Sequence, residues 1–266
     1  MYNKKIFILA FVLVLAFSCS AFGGVKVGII SKPATTEEVF NSKVATTWKW
    51  TIFGAGHGDD DKFIYYDDLS AMIMALNAGE IDEIDLPKPV AEYVTEMNPD
   101  YKVSCVMRTK PIHFVFGFLK DKNVILWQNF NYTLRNMRKD GTLEELLTKY
   151  LYNPGKIESE AVKLESFPNA DTVKIAVTGD MPPIDYVAPN GNLAGFNAAI
   201  LAEIGRRLKI NIEIININSG ARATALVSGR ADGVFWFMND IFDIPSTVLV
   251  SDPYYTFDEF LHIHRK

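Results

Sequence analysis

Ala75-Leu76-Asn77-Ala78-Gly79-Glu80-Ile81-Asp82 and Ala225-Leu226-Val227-Ser228-Gly229-Arg230-Ala231-Asp232 share one pattern, Ala-Leu-x-x-Gly-x-x-Asp, about 150 residues apart. An apolar turn that closes on glycine reads as the C-terminus of a helix, because a left-handed closing residue is cheapest without a Cβ. The apolar run that follows at once reads as a strand. Upstream of each copy stands a short β-branched run, Val25-Lys26-Val27-Gly28-Ile29-Ile30 and Val173-Lys174-Ile175-Ala176-Val177, which opens a unit as a strand. The chain therefore carries two related α/β units.

Working outward, apolar residues at three and four spacing predict helices over residues 68–78 and 89–97 in the first unit and 196–208 in the second. Two more are predicted over 126–137 and 142–151, with Asp140-Gly141 as a stop and restart between them. Strands alternating with helices imply a mostly parallel sheet flanked by helices in each unit. Residues 153–171 mix Pro154, Gly155, Pro168 and charges without a sustained period and read as a linker. The resulting division is 1–23 as a signal segment, 24–118 as the first α/β unit, 119–152 as a return segment with its helices, the linker, and 172–266 as the second unit.

Lys4 and Lys5 precede an apolar run over residues 6–17, and small residues follow, the order of a secretory signal with cleavage after Gly23. The run is too short to span a bilayer, which takes about 20 apolar residues. Export to the periplasm or another extracytoplasmic space is expected, with a lipid anchor on Cys19 as the alternative. The composition, 48% apolar and 22% charged, is that of a folded domain rather than a disordered chain. Loss of the first 24 residues takes the basic residues from 27 to 25 against 32 acidic, a formal −7, which argues against a nucleic-acid backbone as partner. Cys105 is then the one cysteine left, so no internal disulfide is expected. The four histidines show no zinc or haem spacing, and no cofactor is implied. His262 and His264 alternate with Leu261 and Ile263 and read as the solvated face of a strand.

Residues 173–180, then Met181-Pro182-Pro183-Ile184-Asp185-Tyr186, Asn190-Gly191 and Gly195-Phe196-Asn197, resemble the opening of the family 3 periplasmic solute-binding proteins, the amino-acid-type receptors of ABC importers. Residues 226–232 and Ser251-Asp252-Pro253-Tyr254-Tyr255 look like the next two landmarks of that lobe, so the likeness spans about 95 residues. Residues 25–38, 76–93, 114–122 and 134–150 resemble the family's second lobe and its terminal helices. The resemblance implies a two-lobed type II periplasmic-binding-protein fold whose lobes stand in circularly permuted order. A single strand near residues 116–122 would then join the lobes.

The resemblance places ligand contacts after the first strand of the second unit, at Asp180 and Tyr186; Asp180 reads equally as a turn cap beside Pro182 and Pro183. Asn197 stands where the family has aspartate, as a ligand contact or a helix cap. Ser219 and Arg222 fall near a cleft loop, where Arg222 is either a carboxylate clamp or one half of a surface ion pair. Trp236 would supply a flat wall to the ligand or simply core. Thr35 and Thr36 would offer hydroxyl and backbone donors at a helix start, or plain capping. Tyr254 reads as structural. Two family anchors are missing: residues 238–247 hold no arginine, and Pro87 occupies the place of an ammonium-binding aspartate, with Asp85 two residues early.

These features lead to a non-enzymatic, monomeric receptor that captures a small polar solute, an amino acid or related metabolite, between two lobes and presents it to an ABC permease. The alternatives are a sensory or adaptor homologue, a pair of lobes that has lost its ligand, and a cleft enzyme working through Asp180 and Arg222.

Overall fold

The computed structural model describes residues 24–30, 61–66, 68–152, 162–188, 191–218, 221–238 and 246–266. The signal segment with Cys19, Thr35, Thr36, Ser219 and the first half of the linker lie outside the described residues. No helix among those described is long and apolar enough to cross a membrane.

Strands β1 (Lys26–Ile30), β2 (Lys62–Tyr66) and β3 (Glu83–Pro87) form a parallel wing in the order β2-β1-β3. Helix α1 (Leu69–Ala78) leads into β3, and α2 (Lys88–Met97) leads out of it to the 19-residue strand β4 (Tyr101–Leu119). The second wing is also parallel: β5 (Thr172–Val177) lies between β9 (Asn211–Asn216) and β10 (Gly233–Met238). The remaining helices are α3 (Val124–Lys139), α4 (Thr142–Tyr150), α5 (Phe196–Leu208) and the short α6 (Arg222–Val227). The predicted mixed α/β architecture is present.

The repeated pattern has one geometry in both places. Gly79 and Gly229 take φ of 72° and 71°, the left-handed region in which a side chain would be strained. Asp82 and Asp232 each accept a bond from a backbone N–H of the opening strand, Lys26 and Lys174, at 2.8 Å. Each carboxylate thereby ties the end of its helix turn to the start of its sheet.

Between the wings the sheet is antiparallel. Strand β12 (Tyr255–Arg265) lies between β3 and β4, running from Tyr255 opposite Phe114 to Arg265 opposite Tyr101, while His262 faces Asp85 on its other side. Strand β4 continues past this pair to meet β10 and β11 (Val248–Val250). Two strands, β4 and β12, thus run from one unit into the other, which corrects the expectation of one. The reason is burial: Phe260, Leu261 and Ile263 need apolar cover, and the slot between β3 and β4 supplies it. Aromatic rings fill the junction, with Tyr254 stacked on Phe116 at 4.7 Å and Phe114 between Tyr255 and Phe235.

Helices α3 and α4 pack on α5. Arg207 of α5 pairs with Asp140 at 2.7 Å and donates to the Thr142 hydroxyl, and Arg135 of α3 holds Asp252. Residues that precede the linker therefore pack against residues that follow it.

Candidate functional site

After β5, the turn Thr178-Gly179 feeds a small antiparallel sheet of β6 (Asp180–Met181), β7 (Asp185–Val187) and β8 (Leu193–Ala194). Asp180 pairs directly with Tyr186, and paired residues on neighbouring strands point to the same face. That face meets the first unit. Asp180 Oδ2 accepts the backbone N–H of Leu69, the first residue of α1, at 3.2 Å, and the Tyr186 ring lies 6.3 Å from that of Tyr93 in α2. Asp68 caps the same helix by accepting from the Ala71 N–H. The N-terminus of α1 thus has two carboxylates at its positive end.

Behind this face lies a buried polar group that the residue spacing gave little sign of. Asp185 accepts from the Thr178 N–H, the Thr178 hydroxyl and the Gly179 N–H at 3.0–3.2 Å. Its carboxyl is pushed up to about 6, chiefly by burial, which the hydrogen bonds only partly offset. Asp180 is raised for the same main reason, against the lowering effect of Thr178, the Leu69 N–H and Arg222. Arg222, 1% exposed, is pushed down to about 10 by burial, against the opposing pull of Asp185 and Asp180. Acid and base both move toward neutrality, so desolvation outweighs their attraction. The Arg222 guanidinium also lies 5.6 Å from the Phe235 ring centre.

Asn197 is fully buried inside α5. It accepts from the Tyr254 hydroxyl at 2.8 Å, and its Nδ2 has no hydrogen-bond partner. The helix cap is Gly195, so Asn197 does not cap. Trp236 sits in β10 opposite Val115 of β4. The structure therefore brings Asp180, Tyr186, Asn197 and Arg222 into one region of the second unit, with Asp185 and Tyr254 added. Asp185 could have been suspected from its place in the Thr-Gly-Asp turn region, where a second carboxylate follows the first within one hairpin.

Cavities lined by described residues lie elsewhere. One of about 570 Å³ opens between Leu164 of the linker and Leu193, Ala198 and Ile214. Two others, of about 410 and 330 Å³, share Tyr152, Tyr255 and Thr256 at the junction. The first is larger, whereas the buried charges of Asp180, Asp185 and Arg222 gather at the β6–β7 hairpin, where Asp180 and Tyr186 also meet the first unit.

His262 departs from its sequence reading. It is 2% exposed, and its Nδ1 lies 3.0 Å from Glu83 Oε1 and 3.3 Å from Asp85 Oδ1. Alternation suggested a wet face, but β12 is an interior strand whose polar side is also covered. Asp85, at 4% exposure, belongs to this cluster.

Residues 173–265 match the profile of the bacterial extracellular solute-binding proteins, family 3. No curated protein sequence gives a significant match. Among solved structures, an ABC transporter periplasmic binding protein from Brucella ovis with glutathione bound aligns over 92% of this chain and 63% of its own, at 12% identity and a TM-score of 0.47. The ligand-binding component of an ABC-type import system from Staphylococcus aureus, with zinc bound, aligns over 91% and 66% at 11% identity and 0.44. A putative L-cystine ABC transporter from Listeria monocytogenes aligns over 92% and 83% at 14% identity and 0.41. The chain spans about two thirds of the length of the first two. The family 3 match thus covers about a third of the chain, and that third includes the hairpin that carries Asp180 and Tyr186.

Proposed function

We propose that the protein is an exported, non-enzymatic receptor that holds a small polar solute between its two units and presents it to an ABC permease. The observation that carries this reading is the meeting of Asp180 and Tyr186 with the Leu69 N–H and Tyr93. A carboxylate on a helix N-terminus is the arrangement that an anionic group of a solute would adopt there. In this reading the Asp180 carboxylate fills that position in the closed molecule, and a solute takes it as the units part and close again. Tyr186 and Tyr93 provide flat apolar walls. Asn197, with its unpaired Nδ2, supplies a buried donor, and Arg222 sets the local charge from behind Asp180.

An amino acid or a related metabolite is the proposed ligand class, with Ser219, Trp236, Thr35 and Thr36 as further contacts. The circular order of the lobes is part of the proposal. It is supported by β12 running toward the end of the sheet at which β1 starts, with only β3 between them, a gap of roughly 10 Å. The signal segment and a monomeric state complete it.

The test is isothermal titration of the full chain against amino acids and related small metabolites, with small-angle scattering before and after. One ligand per chain with a change in radius of gyration is the expected result, together with at least about tenfold weaker binding in Tyr186→Ala. A panel without binding and a shape that never changes would remove the receptor reading.

A further inference from the structure

We propose that Glu83, Asp85 and His262 form a site for one divalent transition-metal cation, zinc by preference, in the sheet of the first unit. Glu83 and Asp85 are two apart on β3 and so share a face. His262 is the direct cross-strand partner of Asp85 on β12. One nitrogen and two carboxylate oxygens converge there, all within 4.8 Å of one another.

Two of the three spacings are those of ligands around a metal. Donors bound to tetrahedral zinc at about 2.0–2.1 Å stand about 3.3 Å from each other. Here His262 Nδ1 is 3.0 Å from Glu83 Oε1 and 3.3 Å from Asp85 Oδ1, so the imidazole already stands at ligand spacing from both carboxylates. The side chains of His262 and Asp85 are 2% and 1% exposed, and that of Glu83 is 14%. Two carboxylates so far from water gain more from a divalent charge than surface acids do. An imidazole with two carboxylates suits zinc or a neighbouring divalent ion rather than a soft monovalent one. Both strands are interior, β3 between β1 and β12 and β12 between β3 and β4, which fixes the donors in advance. A bound ion would tie β12 to β3 across segments that are distant in the chain.

The same atoms can also form a plain hydrogen-bonded triad, and metal titration separates the two. The full chain is stripped with chelator and titrated with Zn²⁺ by calorimetry, and with Co²⁺ followed by its visible absorption. One Zn²⁺ per chain is expected, with a Co²⁺ spectrum of nitrogen and oxygen ligands without thiolate bands. Asp85→Asn and His262→Ala are expected to weaken binding by at least about 100-fold, beyond the 10–100-fold typical of an outer-shell partner, while His113→Ala leaves it unchanged. Circular dichroism checks the fold of each variant. If the two site variants do not fold, the wild type decides through the histidine ring resonances, of which His262 alone should shift at one equivalent. Absence of a one-to-one site in the folded wild type overturns the proposal. Binding that survives in folded His262→Ala, or a shift confined to other histidines, overturns it as well.

Discussion

The two copies of Ala-Leu-x-x-Gly-x-x-Asp end alike and begin differently. Gly79 and Gly229 differ by one degree in φ, and Asp82 and Asp232 make the same 2.8 Å bond to the opening strand. Upstream, α1 has ten residues and a side-chain cap from Asp68, whereas α6 has six, no such cap, and a fully buried arginine as its first residue. The shared end is what an α/β unit needs in order to fold. The differing starts are free of that demand, and in the second unit the start is given over to charge: Arg222 acts on Asp180 and Asp185, and through Asp180 on α1 itself. The lesson is that in a doubled fold the retained half of a repeat reports architecture, and the diverged half is where the two units come to carry different charge.

The sharpest way to break this contrast is Arg222→Ala. It leaves Asp180 and Asp185 buried without their cation, and a loss of about 3–5 kcal/mol is expected in urea unfolding. A loss below about 1 kcal/mol would mean that the arginine is incidental to the second unit.

Next in size is a pH effect. Asp185 holds its proton more tightly in the folded chain, at about 6 against 3.8 unfolded, so its contribution is whole below about pH 4 and drains away as pH rises through 6. That gap corresponds to about 3 kcal/mol at most. Unfolding midpoints measured between pH 4 and 7 should fall less in Asp185→Asn than in the wild type. Asp180 is raised too and adds a slope of the same sign, while the lowered Glu203, Glu259 and His264 add slopes of the opposite sign, so the difference between variant and wild type is the quantity to read.

A smaller effect sharpens the likeness of the two ends. Gly79→Ala and Gly229→Ala meet open space, so only the positive φ opposes them, and each should cost about 1–2 kcal/mol. Costs that differ by more than about 1 kcal/mol would show that the two ends are not equivalent. Smallest is Asp68→Ala, expected to remove about 1 kcal/mol; α6 has no counterpart to lose.

Much of this was legible from residue order. The 3.6 period gave the helices because their apolar faces, such as Met72 and Leu76 of α1, lie on a single core, and the glycine ends gave the doubled unit. The positions of Asp180 and Tyr186 came from the resemblance, and their shared face needed the cross-strand register. What stayed hidden depends on contacts remote in the chain. Nothing local says that His262 lies between Asp85 and Cys105 on neighbouring strands, because alternation looks the same in an edge strand and in an interior one with polar partners. Asp185 likewise resembles any turn aspartate until the hairpin folds its carboxylate under Thr178.

Strand β12 also governs the timetable of assembly. Strands β3 and β4 lie far ahead in the chain of the segment that will separate them, so during folding the facing edges stay unsatisfied until β12 docks between them. The early unit cannot mature as a free-standing bead; the late one must bring it the missing slat. Folding molecules are thus most prone to edge-to-edge association in the interval before β12 docks.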